Sequence, residues 1–153
     1  MILLNTWQTP FGLAPFDRIL DSDFSPAMDK ALEIALAGIL EIAESSEIPT
    51  FENTIIAQEE AESVLEQVAS VFYTLAGCDS NVVREELQRE FAPKISAYSS
   101  TVSSNKKLFE RIEYLWRNRS SLNLSPEQER VLMLTHRSFV RAGSQLKGKA
   151  ADR

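Results

Sequence analysis

The sequence predicts an all-α protein, an antiparallel helical bundle of about five helices with one long central helix. Three observations carry that expectation. The first is residues 51–77, where no proline or glycine interrupts the chain before Gly77. Phe51, Ile55, Leu65, Ala69 and Phe72 recur there at helical spacing, and Val64, Val68, Val71 and Leu75 widen the stripe. The second is composition: 5 glycines and 6 prolines in 153 residues are too few for a turn-rich β-protein. The third is a series of helix-start signals, each an Asn, Ser, Thr or Asp placed just before an apolar periodic run.

Taken in order, residues 1–24 read as extended or irregular, because Pro10, Gly12 and Pro15 break any periodicity. Phe11, Leu13, Phe16 and Ile19 are expected to pack along the bundle. Ser25-Pro26 opens the first helix, with serine as N-cap and proline at N1. That helix runs to about Glu44 and buries Met28, Leu32, Ala35, Ile39 and Ile42, with Gly38 inside it. Pro49 and Thr50 open the central helix, with Thr50 as N-cap and Asn53 three residues on. Gly77 fits the C′ position at its end, where φ turns positive. Asp79-Ser80-Asn81 offers caps for a third helix carrying Val83, Leu87, Phe91, Ile95, Tyr98 and Val102. Pro93 lies within it and is expected to kink it. Ser103-Ser104-Asn105 caps a fourth helix bearing Leu108, Phe109, Ile112, Leu115 and Trp116. Ser125, Pro126 and Gln128 form a capping box for a fifth, carrying Val131, Leu132, Thr135, Phe139 and Val140 to about Ala142. The expected organisation is a packed N-terminal segment over 1–24, a bundle over 25–143 and a fraying polar tail over 144–153.

Composition also bounds function. A net charge of −6 argues against nucleic acid as a partner, since no basic face dominates. One cysteine excludes an internal disulfide and suits a reducing cytoplasm. No apolar run approaches the roughly 20 residues that span a bilayer, and Met1-Ile2-Leu3-Leu4 is too short for a signal segment. A cytoplasmic chain with no membrane partner is the expectation.

Reactive constellations are sparse. His136 is the single histidine, and a zinc site normally needs three or four ligands at set spacings. No His-Glu-x-x-His run occurs, so a structural or surface role for His136 outweighs a catalytic one. Cys78 has no neighbouring base and reads as a small buried or semi-exposed thiol rather than a nucleophile. Glu59, Glu60, Glu62 and Glu66, flanked by Gln58 and Gln67, read as a solvated face of the central helix. Arg130, Arg137 and Arg141 share a face of the fifth helix and either pair with those glutamates or meet a carboxylate-rich partner. The aromatics Phe51, Phe72, Phe91, Phe109, Trp116 and Phe139 lie on apolar stripes and are assigned to the core.

Several stretches together resemble the N-terminal helical region of the thimet oligopeptidase family of zinc metallopeptidases, in its oligopeptidase A and peptidyl-dipeptidase branch. They are Thr9-Pro10-Phe11-Gly12-Leu13, Pro15-Phe16-Asp17-Arg18-Ile19, Phe24 and Pro26-Ala27-Met28. The similarity continues through Pro49-Thr50-Phe51-Glu52-Asn53-Thr54-Ile55, Ala92-Pro93-Lys94, Leu108-Phe109-Glu110-Arg111 and Leu124-Ser125-Pro126-Glu127-Gln128. Thr135-His136-Arg137 and Phe139-Val140-Arg141-Ala142-Gly143 complete it. The run from Pro49 to Thr54 is the most specific of these.

The resemblance implies a longer parent, a zinc-dependent oligopeptidase that cleaves short peptides, whose zinc motif lies downstream of anything present here. This chain is then the helical, substrate-gating part, a wall of the channel that admits peptides and excludes folded proteins. No catalytic, metal or cofactor-binding residue carries over, because none of the matching positions is one. Zinc is expected only in the parent, and the chain alone is expected to be inactive. The implied partners are oligopeptide substrates and the parent's catalytic domain. The rival reading is a stand-alone helical adaptor that binds a partner through an apolar groove. Two stripes look wider than one bundle face needs: Ile34, Leu36 and Leu40 on the first helix, and Val68/Leu75 beside Ala69/Phe72 on the central one. A homodimer that hides this surface is the corresponding expectation.

Overall fold

The computed structural model describes residues 1–144, and among these the chain is all-α. Five helices follow in order: α1 (Phe24–Glu44), α2 (Ala57–Cys78), α3 (Val82–Ser103), α4 (Lys106–Asn118) and α5 (Pro126–Arg141). A π-helical stretch, Phe51–Ile56, leads directly into α2, so the long central helix exists but its first turns are wide. Residues 1–23 are irregular apart from short 3₁₀ turns at Ile2–Leu4, Pro10–Gly12, Phe16–Arg18 and Asp21–Asp23. The expected fraying of the tail falls, beyond Ser144, outside the described residues.

The chain divides into two compact units, to each of which α1, α2 and α3 contribute a part. The first comprises Met1–Leu36 and Ala61–Tyr98. Its core is organised around Phe72, which is fully buried between Phe24 and Phe91. The ring centroids lie 5.1 and 4.8 Å apart at interplanar angles of 66° and 68°, the edge-to-face arrangement that the ring quadrupole favours. Ala27, Ala31 and Ala35 recur every four residues on α1 and are buried in the same core as Val68, Val71 and Ala76 of α2. Ala69 and Leu75 pack against it, so both stripes of the central helix are consumed within one core. On α1, Ile34 and Leu40 remain exposed.

Polar contacts tie the irregular N-terminus to this unit. Leu3 is buried in the core, and the Gln67 amide donates to the carbonyl oxygens of Leu3 (2.7 Å) and Asn5 (3.3 Å). Arg84 Nε donates to Asp21 at 2.7 Å, and the Asn81 side-chain amide donates to the same carboxylate. Ile19 is buried as expected, but Phe11, Leu13 and Phe16 are exposed. The segment turns too tightly around Pro10–Gly12 and Phe16–Arg18 to lay every apolar side chain on one face.

Two helix-boundary expectations need correction. Ser25 does not cap α1. The Asp23 carboxylate accepts the Leu20 N–H at 2.9 Å one turn earlier, and the Ser25 hydroxyl instead donates to Glu90 on α3. Gly77 is not the C′ residue of α2, which continues to Cys78. The glycines with positive φ among the described residues are Gly12 and Gly143. A Cβ built on Gly77 would meet nothing within 4 Å. Gly77→Ala should therefore raise the unfolding free energy by about 0.4–1 kcal/mol, mainly by restricting the unfolded chain. Chemical denaturation measures this, and a loss of stability would mean that the helix end needs glycine after all.

The second unit comprises Ala37–Glu60 and the chain from Ser99 onward. Here α4 packs against α5 and against the Phe51–Ile56 stretch, burying Phe51, Ile55, Leu108, Ile112, Leu115, Leu132 and Phe139. Its helix starts follow the local chemistry of the sequence. Asn105 accepts the Leu108 N–H, while Ser125 and Gln128 exchange reciprocal backbone-to-side-chain bonds of 3.2 and 2.9 Å. At the end of α5, Gly143 (φ 93°) donates to Val140 O and the Ser144 N–H to Phe139 O, which together make a Schellman stop. In the first unit, Asn81 caps α3 by accepting the Arg84 N–H, and the helix runs through Pro93.

Candidate functional site

Two of the motif stretches meet in the second unit. Arg111 lies between Leu108 and Leu115 on the buried face of α4, and only 6% of it is exposed. Its Nη1 donates to the carbonyl oxygens of Ser45 (3.1 Å) and Glu47 (3.0 Å), and its Nη2 to Asn53 Oδ1 at 2.8 Å. Burial draws the guanidinium below its usual value, opposed by the Glu47 carboxylate. An arginine so placed still carries its charge, because its ordinary value lies far above neutrality. Its Nε is buried without a hydrogen-bond partner among the described residues.

Asn53 is the other half of the clamp. Its Oδ1 also accepts from the Thr50 N–H (2.8 Å) and the Thr54 hydroxyl (2.9 Å), and its Nδ2 donates to Ile48 O at 3.0 Å. The Asn53 N–H in turn reaches Thr50 Oγ1 at 3.0 Å, closing a capping box. One asparagine thus caps the central helix, holds the 45–50 connection and anchors a buried charge. The π-helical stretch carries this side chain, and Thr54 beside it is fully buried. Next to the clamp, a cleft of about 430 Å³ opens, lined among others by Glu44, Glu47, Lys107, Glu110, Arg111 and Tyr114. Lys107 is paired to Glu44. The cleft offers carboxylates, an ammonium and a phenol, which can pair with charged or peptide-like groups. Its lining includes no histidine or cysteine.

His136 lies elsewhere in the same unit, on α5. Its Nε2 meets Glu113 Oε2 at 2.5 Å, and its ring stacks on Trp116 (5.0 Å, 16°) and Phe109 (5.9 Å, 28°). Arg119 covers the Trp116 ring at 4.0 Å. These contacts join α5 to α4. Burial acts to raise the Glu113 carboxyl, but the hydrogen bonds from His136 and Arg117 together outweigh it and hold the group below its ordinary value. A carboxyl depressed in the folded state contributes stability above its unfolded value and loses it as pH falls through the folded one. The unfolding midpoint should therefore drop on acidification below the ordinary glutamate value of 4.5. Glu113→Gln should flatten that part of the profile. An unchanged acid limb in the variant would mean that other carboxylates govern it.

The remaining residues singled out in the sequence do not converge. Cys78 is exposed at the end of α2. Glu59, Glu60 and Glu66 are exposed, whereas Glu62 is half-buried and accepts the Tyr98 hydroxyl at 2.6 Å. Burial and that carboxylate push the Tyr98 phenol up. Gln58 is buried and Gln67 serves the N-terminal segment. Arg130, Arg137 and Arg141 are exposed on α5. Among the described residues, no three His, Cys, Asp or Glu side chains come together as a metal site would require. No helix among them is long and apolar enough to cross a membrane.

Sequence comparison supplies what this geometry leaves open. No family model matches the chain. Dipeptidyl carboxypeptidase of Salmonella typhimurium is 33% identical over 144 residues, which is 94% of this chain and 21% of that protein. Dipeptidyl carboxypeptidase of Escherichia coli is 33% identical over 135 residues, 88% of this chain and 20% of that protein. Oligopeptidase A of Escherichia coli is 25% identical over 141 residues, 92% of this chain and 21% of that protein. The chain therefore spans about a fifth of the length of the curated relatives it matches. Over nearly all its own length, the chain is similar to the N-terminal part of proteins named dipeptidyl carboxypeptidase and oligopeptidase A.

Proposed function

We propose that this chain is the helical, substrate-gating part of a peptidase that hydrolyses short peptides. The observation that carries the reading is the match of 94% of the chain, at 33% identity, to a protein named dipeptidyl carboxypeptidase. The geometry is compatible with a wall rather than a reaction centre. Polar groups such as the buried Arg111 and the half-buried Asn53, His136 and Glu113 are spent on holding helices and connections in place. A wall that selects substrates by size needs that kind of fixed backbone, since binding groups on a mobile frame lose their geometry.

Hydrolytic zinc, which the family would bring, has no fitting donor set among the described residues. The zinc and the groups that activate water would belong to the rest of the parent, and oligopeptides would reach them past these helices. The cytoplasm is the compartment that suits this role and the single thiol.

Metal analysis after dialysis, with a quenched-peptide assay in added zinc, should find neither stoichiometric metal nor cleavage by the isolated chain. The chain grafted into E. coli dipeptidyl carboxypeptidase, in place of the matching segment, should support cleavage of short peptides and spare folded proteins. Tight zinc with chelator-sensitive cleavage by the isolated chain would sink the proposal. A folded graft that binds zinc but cleaves nothing would sink it as well.

A further inference from the structure

The turn at Pro10–Gly12 holds an arrangement that packs against nothing among the described residues at its Phe11 ring. Phe11 adopts φ 60°, ψ 12°, a left-handed conformation that a bulky residue normally avoids. Gly12 follows at φ 67°, where glycine is at ease. The conformation is enforced locally: the Gly12 N–H donates to Thr9 O at 3.0 Å, the Leu13 N–H to Pro10 O at 3.3 Å, and the Thr9 hydroxyl to Leu13 O. Its effect is to hold the Phe11 ring 98% exposed. Leu13 and Leu20, both more than half exposed, and Phe16 follow within ten residues. Backbone strain and a bare aromatic ring are both unfavourable in water, and neither is compensated among the described residues. Strain of this kind is retained where a bound state uses it.

Resting on the reading that the chain works within a longer peptidase, we propose that the Phe11 turn is a docking element. Its occupant is an apolar pocket on the catalytic part of that peptidase, which receives the Phe11 ring with Leu13 and Phe16 around it. Length argues for this occupant: the segment equivalent to this chain makes up 21% of the Salmonella relative, so roughly four-fifths of such a protein has no counterpart here. Charge argues against a second copy. Two copies, each carrying a net charge of −6, repel one another.

The test uses the isolated chain and the E. coli dipeptidyl carboxypeptidase graft in parallel. In the isolated chain, Phe11→Gly relieves the left-handed strain and removes an exposed ring, so its melting temperature should hold or rise. In the graft, the same substitution should lower the melting temperature. Chymotrypsin should cut after Phe11 in the isolated chain and do so about tenfold more slowly in the graft, because a docked ring is accessible only when the contact opens. The proteolysis arm needs no activity, so a folded but inactive graft counts against the peptidase reading while still reporting on docking. Equal cleavage rates in chain and graft, or a graft indifferent to Phe11→Gly, would overturn the proposal. Protection of the isolated chain that grows with its own concentration would overturn it too, by making a second copy the occupant.

Discussion

Replacing Phe72 by alanine should lower the unfolding free energy by about 3–5 kcal/mol, the cost of emptying a fully buried aromatic site. The size of the effect follows from position. The ring meets Phe24, Phe91 and the neighbouring Tyr73 edge-to-face, so its removal takes away three aromatic contacts as well as buried area. Phe72→Leu keeps part of the volume and should recover part of the loss. Denaturant titration monitored by helical circular dichroism reads both variants. A loss below about 1 kcal/mol for Phe72→Ala would mean that the cavity collapses, or that the unit does not unfold with the transition being followed.

Arg111→Ala should be the other severe substitution, costing about 3 kcal/mol or more. It strands Ser45 O and Glu47 O without their Arg111 donor, at a penalty of about 1–3 kcal/mol for each unsatisfied group, and removes one of the three donors of Asn53 Oδ1. Arg111→Lys should rescue little. An ammonium is a point charge and cannot span three acceptors as the planar guanidinium does. Hydrogen exchange localises the effect: amides of the 45–50 connection and the first turns of the central helix should lose protection before those around Phe72. Uniform loss across both units would argue against a local clamp.

How far these features were legible in the sequence depends on how local their causes are. The Thr50/Asn53 and Ser125/Gln128 boxes and the Asn105 cap involve partners three residues apart, so the sequence alone places them. Ser25 misled because its hydroxyl serves Glu90, a partner 65 residues away. Gly77 misled because a glycine tolerated near a helix end looks the same in sequence as one that stops it, while the stop that uses positive φ lies at Gly143. Arg111 shows in the sequence only as part of a motif, since its acceptors lie 58–66 residues upstream. One local sign was present: it stands three residues after Leu108 and four before Leu115, a charged side chain on an apolar stripe. The exposure of Phe11 had no such sign, because an apolar residue beside Pro10 and Gly12 is normally read as a packing residue.

Cys78, left bare where α2 ends, has a consequence in covalent chemistry. It is the only thiol in the sequence, so air oxidation has one route to a cross-linked species, a Cys78–Cys78 bond between two molecules. Mass measured in solution without reductant would mix that product with any association through apolar surface. Reductant or Cys78→Ser separates the two. The same isolation makes the thiol a ready handle, since one maleimide dye will mark one position, at the turn where α2 gives way to α3.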